Sequence, residues 1–128
     1  MEKSEYDELT SAIIGCAIEV HRILGPGLLE SAYHECLLFE LKLRGLRVYS
    51  QVEQPLMYKN QPHLRAYFID LLVEDCVVLE LKSVEQISDV HVSQILTYMK
   101  LGDYRVGLLL NFNVKMMKQG IHRYVNQF

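Results

Sequence analysis

The sequence is poor in the features that define several large classes of protein. It has three cysteines, Cys16, Cys36 and Cys76, widely spaced and without a CxxC pair. Neither a disulfide framework nor a cysteine-built zinc site is expected from them, and reduced thiols in a cytosolic setting fit best. No apolar run approaches the ~18 residues that span a bilayer, and the opening MEKSEYDELT is charged where a secretory signal would be apolar. A soluble, cytoplasmic protein with no membrane partner is the expectation. Positive charge is not in excess either. The formal net charge is −3, so nucleic acid would have to be held by local patches or through a bound cation. His21, His34, His63, His91 and His122 form no HxxxH or HExxH pattern, which argues against a zinc enzyme. Repeats, low-complexity tracts and linkers are absent.

Half of the residues are apolar and 23% are charged, the balance of a folded chain. At 128 residues one domain, spanning 1–128, is expected. From Ser4 to Leu24 the apolar residues Tyr6, Leu9, Ile13, Cys16, Ala17, Val20 and Leu24 recur in steps of three and four, which predicts an amphipathic helix with Ser4 and Asp7 as a capping pair. GPG at 25–27 breaks it, and a second helix is predicted from about Leu28 to Arg44, stopped by Gly45. The stretches LRVYSQ, PLMYK, RAYFIDLLV and VVLELK then predict strands of one sheet, punctuated by Pro55, Asn60 and Pro62. A helix from Ser88 to Leu101, a buried strand over 104–112 and a helical tail from Val114 to Val125 complete the expectation. The order of elements indicates a mixed α/β or α+β fold, a central sheet flanked by helices.

The charged residues inside VVLELK need explaining. FIDLLV and VVLELK flank Glu74, Asp75 and Cys76 symmetrically, so a hairpin centred there pairs Val73 with Val77 and sets Asp70 opposite Glu80. Alternation places Phe68, Asp70, Leu72, Val78, Glu80 and Lys82 on one face, and Ile69, Leu71, Val73, Val77, Leu79 and Leu81 on the other. Both faces are mostly apolar, the mark of a sheet covered on both sides. Two facing carboxylates repel unless a cation lies between them. Two arrangements answer that need. In one, Asp70 and Glu80 are hard oxygen ligands for Mg²⁺ or Mn²⁺ and Lys82 orients or deprotonates a water. In the other, Lys82 closes a structural cross-strand ion pair.

An acid on one strand followed by Glu-x-Lys on the next, here Asp70 and then Glu80, Leu81 and Lys82, resembles the signature of the PD-(D/E)XK nuclease superfamily. GLLESAY, Gly27 to Tyr33, resembles the motif that names the GxxExxY family, a small single-domain branch of it. The likeness continues through LLVED, VLELKSVE, QILTYMKL and VGLLLNFN. It implies a restriction-endonuclease-like core of a helix, three antiparallel strands, a helix and a further strand. It also implies a metal-dependent nuclease that cleaves phosphodiester bonds, with DNA ahead of RNA as substrate and Mg²⁺ or Mn²⁺ as cofactor. By the resemblance, Asp70 and Glu80 hold the metal, the Leu81 carbonyl is an added ligand, and Glu30 is a helix acid that touches the metal through water. Lys82 handles the water, Gln94 is the glutamine that some branches aim at the site from the next helix, and Tyr98 lies one turn beyond it. The proline that often precedes the acid is replaced by Ile69, and HLRAYF departs from the family's Tyr-Arg-x-Asp spacing, which leaves Arg65 and Tyr67 without an assigned role.

Each flanking residue also has a plain structural explanation. Glu30, in a first helical turn, suits the macrodipole. Tyr33 suits a core ring whose hydroxyl finds a partner. Gln94 with Tyr98 suits a polar pair on a half-buried helix, and His91 a surface position. Lys115, Lys118, His122 and Arg123, and likewise Lys42, Arg44 and Arg47, form local basic clusters that suit either a phosphate backbone or a solvated face. The competing function is a non-catalytic module that keeps the nuclease fold to bind nucleic acid or a protein. A homodimer, or a partner that supplies recognition, is compatible with the sequence.

Overall fold

The computed structural model of the chain describes residues 1–126, without the side chains of 64–66. Two helices come first, α1 (Lys3–Leu24) and α2 (Glu30–Leu43), followed by the strands β1 (Val48–Tyr58), β2 (Gln61–Val73) and β3 (Val77–Lys82). Helix α3 (Asp89–Leu101), β4 (Val106–Asn111), a short 3-10 turn (Met117–Gly120) and β5 (Ile121–Val125) complete the chain. The strands form one sheet in sequence order, antiparallel throughout except where β3 lies parallel to β4. A parallel pair requires a crossover, and α3 provides it.

The apolar stripe predicted for α1 is the one it buries, with Tyr6, Ile13, Cys16, Ala17 and Val20 in the core. The helix begins at Lys3, and the Glu2 N–H donates to Glu5 Oε1 at 3.1 Å, so Glu2 and Glu5 form its start in place of Ser4 and Asp7. Asp7 instead accepts from Arg123 at 2.9 Å. Helix α2 begins at Glu30, two residues later than predicted, because Gly27 turns with a φ of 93° and Leu29 is still extended.

Helices α1 and α2 cover one face of the sheet, packing on Leu71, Val73, Val77, Leu79, Leu81, Val106, Leu108 and Leu110. Helix α3 covers the other with Ile95, Tyr98 and Met99 against Ile69, Leu72, Val78 and Leu109. The expectation of a sheet buried on both sides therefore holds for β3 and β4, where only Lys82 is less than fully buried. Truncating a leucine such as Leu79 or Leu81 to alanine in this interior would cost about 2–5 kcal/mol. Gly107 lets α3 approach β4 closely: a Cβ there would meet Met99 Sδ at 2.7 Å.

Three expectations change. LRVYSQ and PLMYK join into the single edge strand β1, with the register slipping around Pro55, because a proline that lacks an N–H is tolerated at the bulge of an edge. The tail over Val114–Val125 is not a helix. Leu110 pairs with Ile121 and Leu108 with Arg123, since the open edge of β4 offers a full ladder of hydrogen bonds that outweighs a weak helical period. Gly120 makes the approach possible, because a Cβ there would collide with the Asn111 carbonyl. Finally, Ile69 shares the α3 side with Leu72 and Val78, not the opposite face, so the alternation slips between residues 69 and 72.

Candidate active site

That slip falls at Asp70. Opposite it on β1, Gln51 has a φ of 54°, and the ladder pairs Ser50 with Leu71 and Val52 with Ile69 while skipping Gln51 and Asp70. A local irregularity of this kind re-aims a side chain without ending the strand. On the other side of β2, Val73 pairs with Val77 and Leu71 with Leu79, as predicted, and the regular ladder stops there. Asp70 takes over from it: its Oδ2 accepts the N–H of Leu81 at 2.9 Å. The two strands thus diverge at the level of Asp70 and Glu80 and stay tied through a carboxylate.

Glu80 is 3% exposed. Its Oε1 is buried without a hydrogen-bond partner, alone in this among the described side chains. Burial raises the Glu80 pKa to about 10, helped by the hydrogen bond to Asp70 that a protonated Glu80 forms and by repulsion from the Asp70 charge, with Lys82 acting in the opposite direction. Such a carboxyl is neutral at pH 7 unless a cation joins it, and a buried unpaired carboxylate would cost several kcal/mol.

Glu30 opens α2, held there by the loop before it. The Tyr33 hydroxyl donates to the Gly25 carbonyl at 2.6 Å and accepts the Leu28 N–H at 3.1 Å, while Ser83 Oγ donates to the Leu28 carbonyl at 2.6 Å. Tyr33 is fully buried and stacks on Phe112 with ring centroids 4.6 Å apart. The glycine, glutamate and tyrosine of GLLESAY are therefore a turn, an acid aimed at the sheet, and the staple that fixes the turn. Tyr33 itself stays outside the cleft. Partial burial raises the Glu30 pKa, and Asp70 adds to the rise, whereas Lys82, His34 and His91 oppose it. These six residues, Glu30, Asp70, Glu80, Lys82, His34 and His91, thus share one electrostatic neighbourhood.

Lys82 ends β3, half-buried. Among the described residues it makes no ion pair within 4.0 Å of an acid, so the closed cross-strand pair does not form and Lys82 acts on Glu30 and Glu80 through space. Leu81 sends its side chain into the α1/α2 core and borders the site with its backbone alone. On α3, Gln94 Nε2 donates to the Tyr98 hydroxyl at 3.1 Å. Tyr98 is buried and meets Tyr67 edge-on, centroids 5.9 Å apart. Burial raises the Tyr98 pKa, followed by the charges of Glu80 and Asp70, which places this pair beside the acids. His91 caps α3, its Nδ1 accepting the Ser88 N–H at 3.0 Å.

The cleft at the site, about 430 Å³, is lined by Glu30, Ser31, His34, Glu35, Ser50, Gln51 and Asp70. His34, whose Nε2 lies 2.8 Å from Ser50 Oγ, was not foreseen. The signal for it was its place one helical turn after Glu30, on the same face. Ser50 and Gln51 carried no such signal, since the irregularity of β1 is not written in a local pattern. Of the basic clusters, Arg123 is engaged by Asp7, and Arg47 by Glu74 and Asp75 at 3.5 and 3.6 Å. The side chain of Arg65 lies outside the described residues.

The donor set can be tested against a metal. Among the described residues no three His, Cys, Asp or Glu side chains gather tightly enough to hold an ion by themselves. Two carboxylates, one of them with an oxygen left without a partner, match a hard divalent cation that keeps waters and takes its remaining oxygens from backbone or substrate.

No curated protein and no solved structure matches this chain. A family model described as the PD-(D/E)XK nuclease superfamily matches residues 7–124, a stretch that takes in Glu30, Asp70, Glu80, Lys82 and Gln94 and all five strands but the last residue of β5. The match spans well over half of the sequence, and the sheet with its two helical layers agrees with it: the chain belongs to the PD-(D/E)XK nuclease superfamily.

Proposed function

We propose that the chain is a cytoplasmic, single-domain nuclease of the GxxExxY branch, dependent on Mg²⁺ or Mn²⁺ and acting on DNA in preference to RNA. The observation that carries this reading is the buried Glu80 oxygen without a partner, facing a second carboxylate at the fork of two strands. A folded protein leaves such an atom orphaned at a cost, and function commonly accounts for it. Asp70 and Glu80 would hold the ion, with the Leu81 carbonyl as a further oxygen and Glu30 through water; when bound, it would polarise the scissile phosphate and make a water more acidic.

The remaining chemistry belongs to the chain. Lys82, with three donors and no acceptor, orients the attacking water and balances the charge that grows on the phosphate. Asp70 holds its orientation through the Leu81 N–H, so the acid is set before substrate arrives. Gln94 and Tyr98 hold each other on the α3 side of the acids, where the glutamine can position the substrate or the water. His34 and His91 lie near enough to act electrostatically on Glu30, holding its pKa down.

The test is incubation of the purified protein with Mg²⁺ or Mn²⁺ and single-stranded, duplex and branched DNA and RNA, beside Asp70→Asn. Cleavage that needs the metal and vanishes in a folded Asp70→Asn variant supports the reading. An inert wild type, or equal cleavage by both, removes it in favour of a binding role.

A further inference from the structure

Beside the acidic cleft lies a second concavity of a different chemical character. It has a volume of about 310 Å³ and is lined by Tyr67, Val90, Ser93, Gln94, Thr97 and Tyr98. No charged side chain is among them, although Asp70 and Glu80 are near enough to act electrostatically on Tyr98. Its walls are the faces and edges of two tyrosines, an aliphatic residue, two hydroxyls and one amide. Tyr98 is buried and braces Tyr67 edge-on, while Tyr67 is 38% exposed and so presents its ring to solvent from a fixed support. The Gln94 amide spends one N–H on Tyr98, and among the described residues its oxygen has no partner. A neutral, planar, aromatic ligand edged with donors and acceptors matches this lining, whereas a phosphate or a cation does not.

Resting on the nuclease reading, we infer that the concavity between β2 and α3 receives one unpaired nucleobase of the substrate, stacked on Tyr67 and read along its edge by Gln94, Ser93 or Thr97. Paired bases inside a duplex have their faces occupied, so a stacking shelf selects a single strand, an end or an extruded base. The substrate class is therefore nucleic acid with at least one unstacked nucleotide next to the scissile phosphate. Tyr67 is a specificity-determining residue in this scheme, and Lys82 and the acids keep the chemistry.

The test measures binding without cleavage. Fluorescently labelled single-stranded oligonucleotides, the same sequences carrying scattered abasic sites, and the matching duplex are titrated in EDTA with wild type, Tyr67→Ala and Tyr67→Phe. Stacking is worth ~1–3 kcal/mol per base, so Tyr67→Ala should weaken binding of the intact single strand by roughly 5- to 150-fold. The same variant should leave the abasic strand unchanged, and Tyr67→Phe should bind as wild type does. The chain has no tryptophan, so Tyr67→Trp supplies a lone indole whose emission an intact strand should quench and an abasic one should not. Equal affinity for intact and abasic strands, equal losses on both in Tyr67→Ala, preference for duplex, or binding of none of these probes overturns the inference. Metal-dependent cleavage is scored separately, so a failed shelf and a failed nuclease give different results.

Discussion

Asp70 accepts the backbone N–H of Leu81 at 2.9 Å, in the position where a strand carbonyl would otherwise receive it. The carboxylate thus substitutes for a rung of the ladder, and the fork that exposes Glu80 toward Asp70 is held open by one of the site's own acids. Removing that carboxylate disturbs both the structure and the charge, which is why the conservative Asp70→Asn serves as the test of chemistry above.

Glu80 makes stability depend on pH in an unusual direction. The unfolded chain releases this proton in the ordinary carboxylate range, whereas the folded chain keeps it to about pH 10. The folded state therefore binds more protons across that window, and the metal-free protein loses stability as pH rises through it, by at most about 1.4 kcal/mol per pH unit. Glu80→Gln should flatten that slope and raise the Tm at pH 8 in EDTA by roughly 3–8 °C. Mg²⁺ or Mn²⁺ should raise the wild-type Tm, and do so more at pH 8.5 than at pH 6, with no such gain in Glu80→Gln. Thermal melts across pH, with and without metal, check all three outcomes.

Lys82 makes no close ion pair with a described acid, so replacing it should spare the fold. Lys82→Ala is expected to slow single-turnover cleavage by about 10²–10⁴-fold while the melting temperature stays near that of wild type. A large fall in Tm would instead mark Lys82 as a structural charge.

Tyr33→Phe keeps the stack on Phe112 and deletes the hydroxyl that bridges Gly25 and Leu28. It should cost about 1–3 kcal/mol, since the Leu28 N–H loses its partner, as read by urea denaturation. Because Glu30 begins two residues after Leu28, cleavage should fall as well, and excess metal should restore part of it.

Asn111 is 3% exposed and its side chain makes three hydrogen bonds: to the Val84 N–H at 3.1 Å, to the Val84 carbonyl at 2.9 Å and to the Asn113 N–H at 3.2 Å. Asn111→Leu keeps the branched shape but leaves those backbone groups unmet, so it should cost about 2–4 kcal/mol. Faster amide exchange after β3 should accompany the loss.

The helices and the central strands were legible because their apolar periods are long and consistent, as in Ile13, Ala17 and Val20 or in VVLELK. Asp70, Glu80 and Lys82 stood out because charges interrupt that apolar run. Glu30 and Gln94 were singled out through motif resemblance alone, since their local patterns suit an ordinary first turn and a half-buried helix. Two features could not be read locally. The alternation slips at Asp70 because of Gln51 on a different strand, and β5 forms because β4 leaves an edge open far along the chain. Tyr67 stayed without a role because the shelf that it completes is made with a helix about 30 residues away.

The parallel pairing of β3 with β4 carries a consequence for how the site comes into being. By Leu101 the chain already contains Glu30, Asp70, Glu80, Lys82 and Gln94, yet β3 is then still the outermost strand. Until Val106–Asn111 arrives by way of α3, water can reach Glu80 from that flank and its proton has no reason to stay. The burial of Glu80 is thus completed only when β4 pairs with β3, a contact between segments far apart along the chain.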